Sequence, residues 1–379
     1  MPRVRLEHLV KSYGRVRAVD DLCLEVEDRE FFVLYGPSGA GKTTTLKLIA
    51  GAEHPDSGEV HIGDRRVDLL EPDARNVAMT FESYSLYPHY SVYDNIAFPL
   101  RAPGRRMSRA EIDERVRWAA RLLGIEHVLG HKPAEISQGQ KQRTALARAI
   151  VRPADVYLFD EPLSHVDAKV RHYMRGELHR MSTMLNNTII YVTHDYVEAL
   201  SLGDRVGVLD HGRLHQVGTP REVYYAPRDL FVALSFGQPE MNILEGTLTA
   251  AGGRLRVETA LGTTHQLATG EPLPTAGTEV WVGLRPQDLQ LGDLGAGTAF
   301  EAEVLVFEPL GTHGVLRARA NGQVLNVLVP PNASFEPGSR VLLDYPEDAL
   351  YLFDRESQLN ILHPRITTPQ GARDGGAKA

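Results

Sequence analysis

The chain has one cysteine, two tryptophans and no long apolar run among its 379 residues. A single cysteine, Cys23, excludes an internal disulfide framework and a cysteine-based zinc site, and fits a reducing compartment. Cys23 lies in the alternating run Leu22-Cys23-Leu24-Glu25-Val26, which suggests a small packing side chain rather than a nucleophile. No stretch approaches the ~20 consecutive apolar residues of a membrane-spanning helix. The start, Met1-Pro2-Arg3-Val4-Arg5-Leu6-Glu7, lacks the apolar centre of a secretory signal. The expectation is a chain that stays in the cytosol and meets a membrane only through partners. Excess positive charge is missing too. Asp and Glu number 49 against 41 Lys and Arg, a net charge of -8, which argues against nucleic acid as a partner.

What is present reads as globular: 42% of residues are hydrophobic and 24% charged, close to the average for folded domains. The length suggests about two to three domains. Apolar runs bounded by turn residues occur at residues 31–35, 77–81, 156–159 and 188–192. Such continuous runs suit strands buried on both faces of a largely parallel sheet. Helical patterns lie between them. In residues 108–124, Ile112, Val116, Ala119 and Leu123 share a face, and Ser108 with Glu111 makes a capping box. After about Phe236 the texture changes to short β-rich segments, such as 253–258, 279–285, 300–307 and 314–318, broken by Gly, Pro and Asn. That pattern predicts a small antiparallel barrel or sandwich, with Trp281 and Tyr345 in its core. Residues 367–379 have almost no large apolar side chain and are expected to be disordered.

The segment Gly36-Pro37-Ser38-Gly39-Ala40-Gly41-Lys42-Thr43 fits the P-loop pattern, follows the apolar strand at 31–35 and precedes the helical stretch from Thr44 to Ala50. Glycines there let backbone N–H groups curl around phosphate oxygens at a helix N-terminus. Lys42 would reach the outer phosphates, and the Thr43 hydroxyl would ligate Mg²⁺. A P-loop needs an acidic partner for the metal, and Val156-Tyr157-Leu158-Phe159-Asp160-Glu161 ends an apolar strand with two carboxylates. Asp160 can hold Mg²⁺ and Glu161 can polarise an attacking water. Two acids at a strand end could equally be a solvated terminus; beside a P-loop the functional reading is favoured.

Between these motifs lies Ile136-Ser137-Gln138-Gly139-Gln140-Lys141-Gln142-Arg143. It resembles the LSGGQ signature of the ATP-binding cassette (ABC) family. Tyr13 in Lys11-Ser12-Tyr13-Gly14 looks like that family's adenine-stacking aromatic, and Phe81-Glu82-Ser83-Tyr84 like its Q-loop. Leu163-Ser164-His165-Val166-Asp167 resembles the D-loop, and Val192-Thr193-His194-Asp195 the switch-histidine segment. The resemblance covers Arg3 to about Phe236. Two features are similar to the carbohydrate and glycerol-phosphate importer ATPases, the maltose importer type. One is the aromatic segment from Tyr84 to Ile96. The other is the β-rich part with Gly283-Leu284-Arg285-Pro286-Gln287-Asp288, which looks like an appended OB-type regulatory domain.

The resemblance implies an α/β P-loop NTPase cassette at 1–236 with a helical subdomain at about 84–150. An all-β OB-like regulatory domain at 237–366 and the tail at 367–379 follow. It implies ATP and Mg²⁺, with Tyr13, residues Gly36, Pro37, Ser38, Gly39, Ala40, Gly41, Lys42, Thr43 and Thr44, and Glu82 around one nucleotide. Ser137, Gly139 and Gln140 would cap the nucleotide of a second ATPase subunit. Thr43, Asp160 and Glu82 would serve the metal, and Glu161, His194 and Lys42 the chemistry. The implied assembly is an importer with two transmembrane permease subunits and, indirectly, a solute-binding protein, the chain lying peripherally on the cytoplasmic face of the inner membrane. The aromatic-rich run from Tyr84 to Tyr93 would form the groove that receives a permease helix.

Two positions depart from the family pattern: Glu82 stands where the Q-loop has glutamine, and Gln138 where the signature has its first glycine. A carboxylate at 82 adds negative charge beside phosphate, and a β-carbon at 138 obstructs close backbone approach. Both suit either a tolerated variation or a chain that pairs with a different ATPase subunit. Competing readings are a weakly hydrolytic regulatory half of such a pair, and an importer of another solute such as a polyamine or inorganic ion.

Overall fold

The computed structural model describes residues 2–81, 85–102, 107–164, 168–185, 187–251, 254–267, 275–292 and 298–362. Glu82, Tyr84, the D-loop positions His165, Val166 and Asp167, and the tail from 367 lie outside them. The chain divides into two compact units, Met1–Pro220 and Arg221–Ala379.

The first unit opens with β1 (Val4–Tyr13), β2 (Val16–Val26), β3 (Phe31–Tyr35), α1 (Lys42–Ala50), β4 (Ser57–Ile62), β5 (Arg65–Arg66) and β6 (Val77–Thr80). Helices α2 (Val92–Ala97), α3 (Arg109–Leu122) and α4 (Gln138–Ile150) follow and pack on one another. It ends with β7 (Val156–Asp160), α5 (Ala168–Leu185), β8 (Thr188–Thr193), α6 (Tyr196–Leu202), β9 (Arg205–Asp210) and β10 (Arg213–Gly218).

The four apolar runs of the sequence become β3, β6, β7 and β8 of a six-stranded sheet ordered β10-β9-β3-β8-β7-β6, parallel except for the β9–β10 hairpin. All of β7 and β8 is buried, as strands covered on both faces must be. An antiparallel sheet, β2-β1-β4-β5, shares a core with it through α1. In β2 the alternation turns Leu22, Leu24 and Val26 inward, so Cys23 is exposed rather than a packing residue. Helix α3 carries the expected capping box, and Ile112, Val116 and Ala119 are buried along its inner face.

The second unit begins earlier than the change in texture suggested. Helices α7 (Pro220–Tyr225) and α8 (Leu230–Ser235) precede strands β11 (Asn242–Ala251), β12 (Arg254–Thr259), β13 (Thr264–Gln266), β14 (Glu279–Leu284) and β15 (Gln290–Leu291). The remainder is β16 (Phe300–Pro309), β17 (Gly314–Ala320), β18 (Gln323–Val329), β19 (Arg340–Asp344), β20 (Tyr351–Asp354) and β21 (Asn360–Leu362). Two antiparallel sheets, β13-β12-β11-β14-β20-β21 and β15-β19-β16-β17-β18, close over one core. The two short helices belong here because Arg285, just past β14, reaches back to them. Its guanidinium donates to Phe236 O at 2.8 Å and to Tyr224 O, and lies 3.8 Å from the Tyr224 ring centre. Tyr345 is fully buried in this core, whereas Trp281 is half-buried under Arg355.

This unit holds two oppositely shifted groups. Burial lowers the His265 imidazole to about 4 from 6.5, and raises the Asp288 carboxyl, against the pull of Arg285, to about 6 from 3.8. Between pH 6.5 and 4 the unfolded chain binds the His265 proton first, so acid destabilises the fold through His265. Asp288 binds its proton first in the folded chain, so acid stabilises through it between about pH 6 and 4. The two nearly cancel. Asp288→Asn should be more stable than the parent at pH 7 by up to about 3 kcal/mol, with the advantage gone by pH 4. Urea melts followed by tryptophan fluorescence would check this; a gap independent of pH would refute it.

Candidate functional site

The register of the parallel sheet sets the site. Tyr35 at the end of β3 pairs with Thr193 of β8, and Asp160 at the end of β7 pairs with Val192. Three strand ends therefore lie side by side. The P-loop leaves the first, Glu161 follows the second and His194 follows the third.

The P-loop is clamped from outside. A Cβ at Gly36 would lie 2.2 Å from Leu209 O, and one at Gly41 would lie 2.1 Å from Ala18 O. Gly41 also has φ 102°, a left-handed conformation that costs a side chain strain. Gly212 N donates to Ala40 O at 2.9 Å, so the β9–β10 turn holds the loop as well. Helix α1 starts at Lys42 with Gly41 as its N-cap and no side chain capping its first turn. Those N–H groups and the helix dipole make a ready anion site.

Lys42 is buried, and its Nζ donates to Gly36 O at 2.9 Å and Pro37 O at 3.0 Å. The same ammonium lies 3.6 Å from Glu161 Oε1. Thr43 Oγ1 donates to Asp160 Oδ1 at 2.9 Å, and Asp160 is buried. The other Glu161 oxygen, Oε2, lies 2.8 Å from His194 Nδ1. Lys42, Thr43, Asp160, Glu161 and His194 thus form one connected group. Tyr13, at the end of β1, is 44% exposed, and the Lys11 ammonium lies over its ring at 5.5 Å from the centre. Burial and Glu53 raise the pKa of the Tyr13 hydroxyl, keeping it protonated.

Ser137 caps α4. Its Oγ accepts from Gln140 N at 3.3 Å, while Gln140 Oε1 accepts from Ser137 N at 2.9 Å. Ser137 and Gln138 are exposed and Gly139 and Gln140 half-buried. This capping box orders an exposed helix N-terminus without joining it to the Lys42 group of the same chain. Sequence reasoning missed Gln142, which is buried and donates from Nε2 to Glu161 O at 3.5 Å. It missed Glu198 too, whose carboxylate accepts from the Tyr191 and Thr193 hydroxyls of β8. The Asp195-x-x-Glu198 spacing was a legible signal, since an acid three residues after a cap lies near the helix start. A metal could be held by the oxygen pair Thr43 and Asp160. A second cluster on the antiparallel sheet, Glu7, Glu59 and His61, has ligand atoms within 4.8 Å of one another. Its acids are engaged by Arg5 and Arg66.

Comparison with known proteins agrees with this geometry. Residues 19–164 match the profile described as ABC transporter, and residues 282–353 match that of the TOBE domain. The trehalose/maltose import ATP-binding protein MalK of Thermococcus litoralis is 43% identical over 371 residues, covering 94% of this chain and 98% of the relative. The xylose/arabinose import ATP-binding protein XacK of Haloferax volcanii is 41% identical, covering 94% of each. The sn-glycerol-3-phosphate import ATP-binding protein UgpC of Cupriavidus pinatubonensis is 42% identical, covering 94% of this chain and 98% of the relative. Among solved structures, a dimeric ATP-binding cassette in a post-hydrolysis state with ADP and phosphate superposes with TM-score 0.54 at 28% identity. It covers 57% of this chain and 99% of that one. Parallel-sheet register, P-loop, paired acids and near full-length relatives lead to one assignment: this chain belongs to the ABC transporter family, as an ATP-binding protein with a C-terminal TOBE domain.

Proposed function

We propose that the chain binds and hydrolyses MgATP as the energising subunit of an ABC importer for a carbohydrate, polyol or glycerol-phosphate-like solute. The observation that carries this reading is the convergence of Lys42, Thr43, Asp160, Glu161 and His194 on adjoining strand ends. The printed roles of the relatives, import of trehalose/maltose, xylose/arabinose and sn-glycerol 3-phosphate, support the solute class.

The donor set fits magnesium and a polyphosphate. The Thr43 hydroxyl and Asp160 carboxylate are hard oxygen ligands, and the N-terminus of α1, which no side chain caps, suits phosphate. Bound there, Mg²⁺ would neutralise phosphate charge. Lys42 holds the outer phosphates, and its bonds to Gly36 O and Pro37 O fix where its charge sits. Tyr13 offers its ring to the base. Glu161 takes the proton of the attacking water, oriented by its bond to His194. His194, half exposed, can meet the transferred phosphoryl group. Ser137, Gly139 and Gln140 act in trans, capping the nucleotide of a second ATPase subunit, of the same or another chain. The dimeric cassettes among the solved structures support that pairing.

Among the described residues no helix is long and apolar enough to cross a membrane. Docking on two permease subunits, at the cytoplasmic face of the inner membrane, uses the aromatic groove. Tyr87, Tyr90 and Phe98 are each about two-fifths exposed, and their ring centres lie 4.6 to 6.0 Å apart. Tyr87 and Phe98 edge a cavity of about 240 Å³ whose wall includes Met79, Pro99 and Arg148. Exposed aromatic anchors of this kind suit an apolar helix of a permease, which in turn meets a solute-binding protein.

The test is uptake and hydrolysis together. Deleting the gene should abolish uptake of one labelled solute among maltose, arabinose and glycerol 3-phosphate. Complementation with Lys42→Ala should fail because nucleotide affinity drops at least about tenfold with the loss of a buried phosphate ligand. Undiminished uptake of all three would refute the solute class, and unchanged ATP affinity in the variant would refute the site.

A further inference from the structure

We infer that Glu198 and Thr193 form a buried positioning device that fixes His194, and that they act on hydrolysis only through that histidine. The inference rests on the proposed role of His194.

Successive side chains of a strand point to opposite faces, so Tyr191 and Thr193 of β8 share the face away from His194. Both hydroxyls donate to the same oxygen, Glu198 Oε2, at 2.8 Å each. Thr193 Oγ1 also accepts from Asp195 N at 3.0 Å. Asp195 Oδ1 caps α6 by accepting from Val197 N at 2.8 Å and Glu198 N at 3.2 Å. Its Oδ2 lies 3.2 Å from Arg171 on α5. The backbone is therefore pinned on both sides of residue 194.

His194 needs this because little else holds it. Its side chain is 51% exposed, and its ring bonds Glu161 Oε2. With few packing contacts, ring placement depends on the backbone that carries it. Glu198, by contrast, is 3% exposed, and Tyr191 and Thr193 are 0% and 2% exposed. A carboxyl in such a place costs stability relative to a hydrocarbon of the same volume. Burial raises its pKa against the two hydroxyl bonds that lower it, with Asp195 raising and Arg171 lowering it further. What the site gains is one acceptor that reads two strand hydroxyls and sets the register between β8 and the first turn of α6.

Thr193→Val keeps the shape of the side chain and removes both its bonds. In the full-length chain it should lower kcat about tenfold, as a misplaced group does, with KM for ATP and the melting midpoint little changed. Thr193→Ser, which keeps the hydroxyl, should restore kcat to within about twofold of the parent. Glu198→Gln, whose carbonyl can accept both bonds, should behave like Thr193→Ser, and Glu198→Met like Thr193→Val. The decisive measurement is the double variant: with His194→Ala present, Thr193→Val should lower kcat no further. Multiplying losses in the double variant, or full kcat in both Thr193→Val and Glu198→Met, would overturn the inference while leaving the ATPase reading intact. A parent chain with no ATP hydrolysis would overturn both.

Discussion

Glu161→Gln should lower ATP turnover by roughly a hundred- to a thousand-fold, the share of a well-placed general base, while MgATP still binds. The backbone explains why the loss should be confined to chemistry. Glu161 has φ 45°, a conformation most residues avoid. It is held there by its N–H donating to Val192 O at 3.1 Å and by its carbonyl accepting from Ser164 Oγ at 3.0 Å. None of those bonds involves the carboxylate, so glutamine inherits the pose. What disappears is basicity on an oxygen 2.8 Å from His194 Nδ1 and its charge 3.6 Å from Lys42 Nζ. One negative charge fewer beside the phosphates should hold or tighten nucleotide affinity. Phosphate release at saturating ATP, with a fluorescent-nucleotide titration beside it, separates the two effects. Turnover above a tenth of the parent value would remove Glu161 from the role of base.

The contrast between this group and its surroundings shows what a sequence can display. The P-loop, the acids after residues 156–159 and the histidine after residues 188–193 were legible because each is local: a strand pattern followed at once by its functional residue. Parallel β-structure then places strand ends together, so their convergence follows from the fold class. The capping box at Ser108 was legible for the same reason. The roles that escaped depend on partners distant in the chain. Gly36 and Gly41 looked like concessions to phosphate; they also make room for Leu209 O and Ala18 O. Glu198 drew no reading from the sequence, and its carboxylate meets Tyr191 and Thr193. Cys23 was assigned inward because its neighbours are apolar, and the strand's period of two turned it outward. Nor could composition show that α7 and α8 belong with the β-rich unit, since contacts distant in the chain decide it: Arg285 beyond β14, and Ala233 packed with Tyr351 and Phe353.

That arginine carries the largest expected effect on stability. Arg285 is 2% exposed, with Tyr224 on one side at 3.8 Å and Tyr351 at 5.4 Å, and it bonds the carbonyls of Tyr224 and Phe236. Arg285→Ala would leave two carbonyls short of a donor and a cavity between two rings. The combined loss should be about 3 to 5 kcal/mol, or roughly 10 °C in the melting midpoint of the unit. Lysine should recover less than half, because an ammonium can meet one carbonyl but cannot lie flat against an aromatic ring. The chain's two tryptophans make the measurement clean: Trp118 lies in the first unit and Trp281 in the second. In a Trp118→Phe background, fluorescence reports Trp281 and hence the β-rich unit. If Arg285→Ala unfolds in urea at the parent's midpoint, the arginine is not what binds α7 and α8 to the sheets. If lysine matches arginine, charge alone suffices and the stacked geometry contributes nothing.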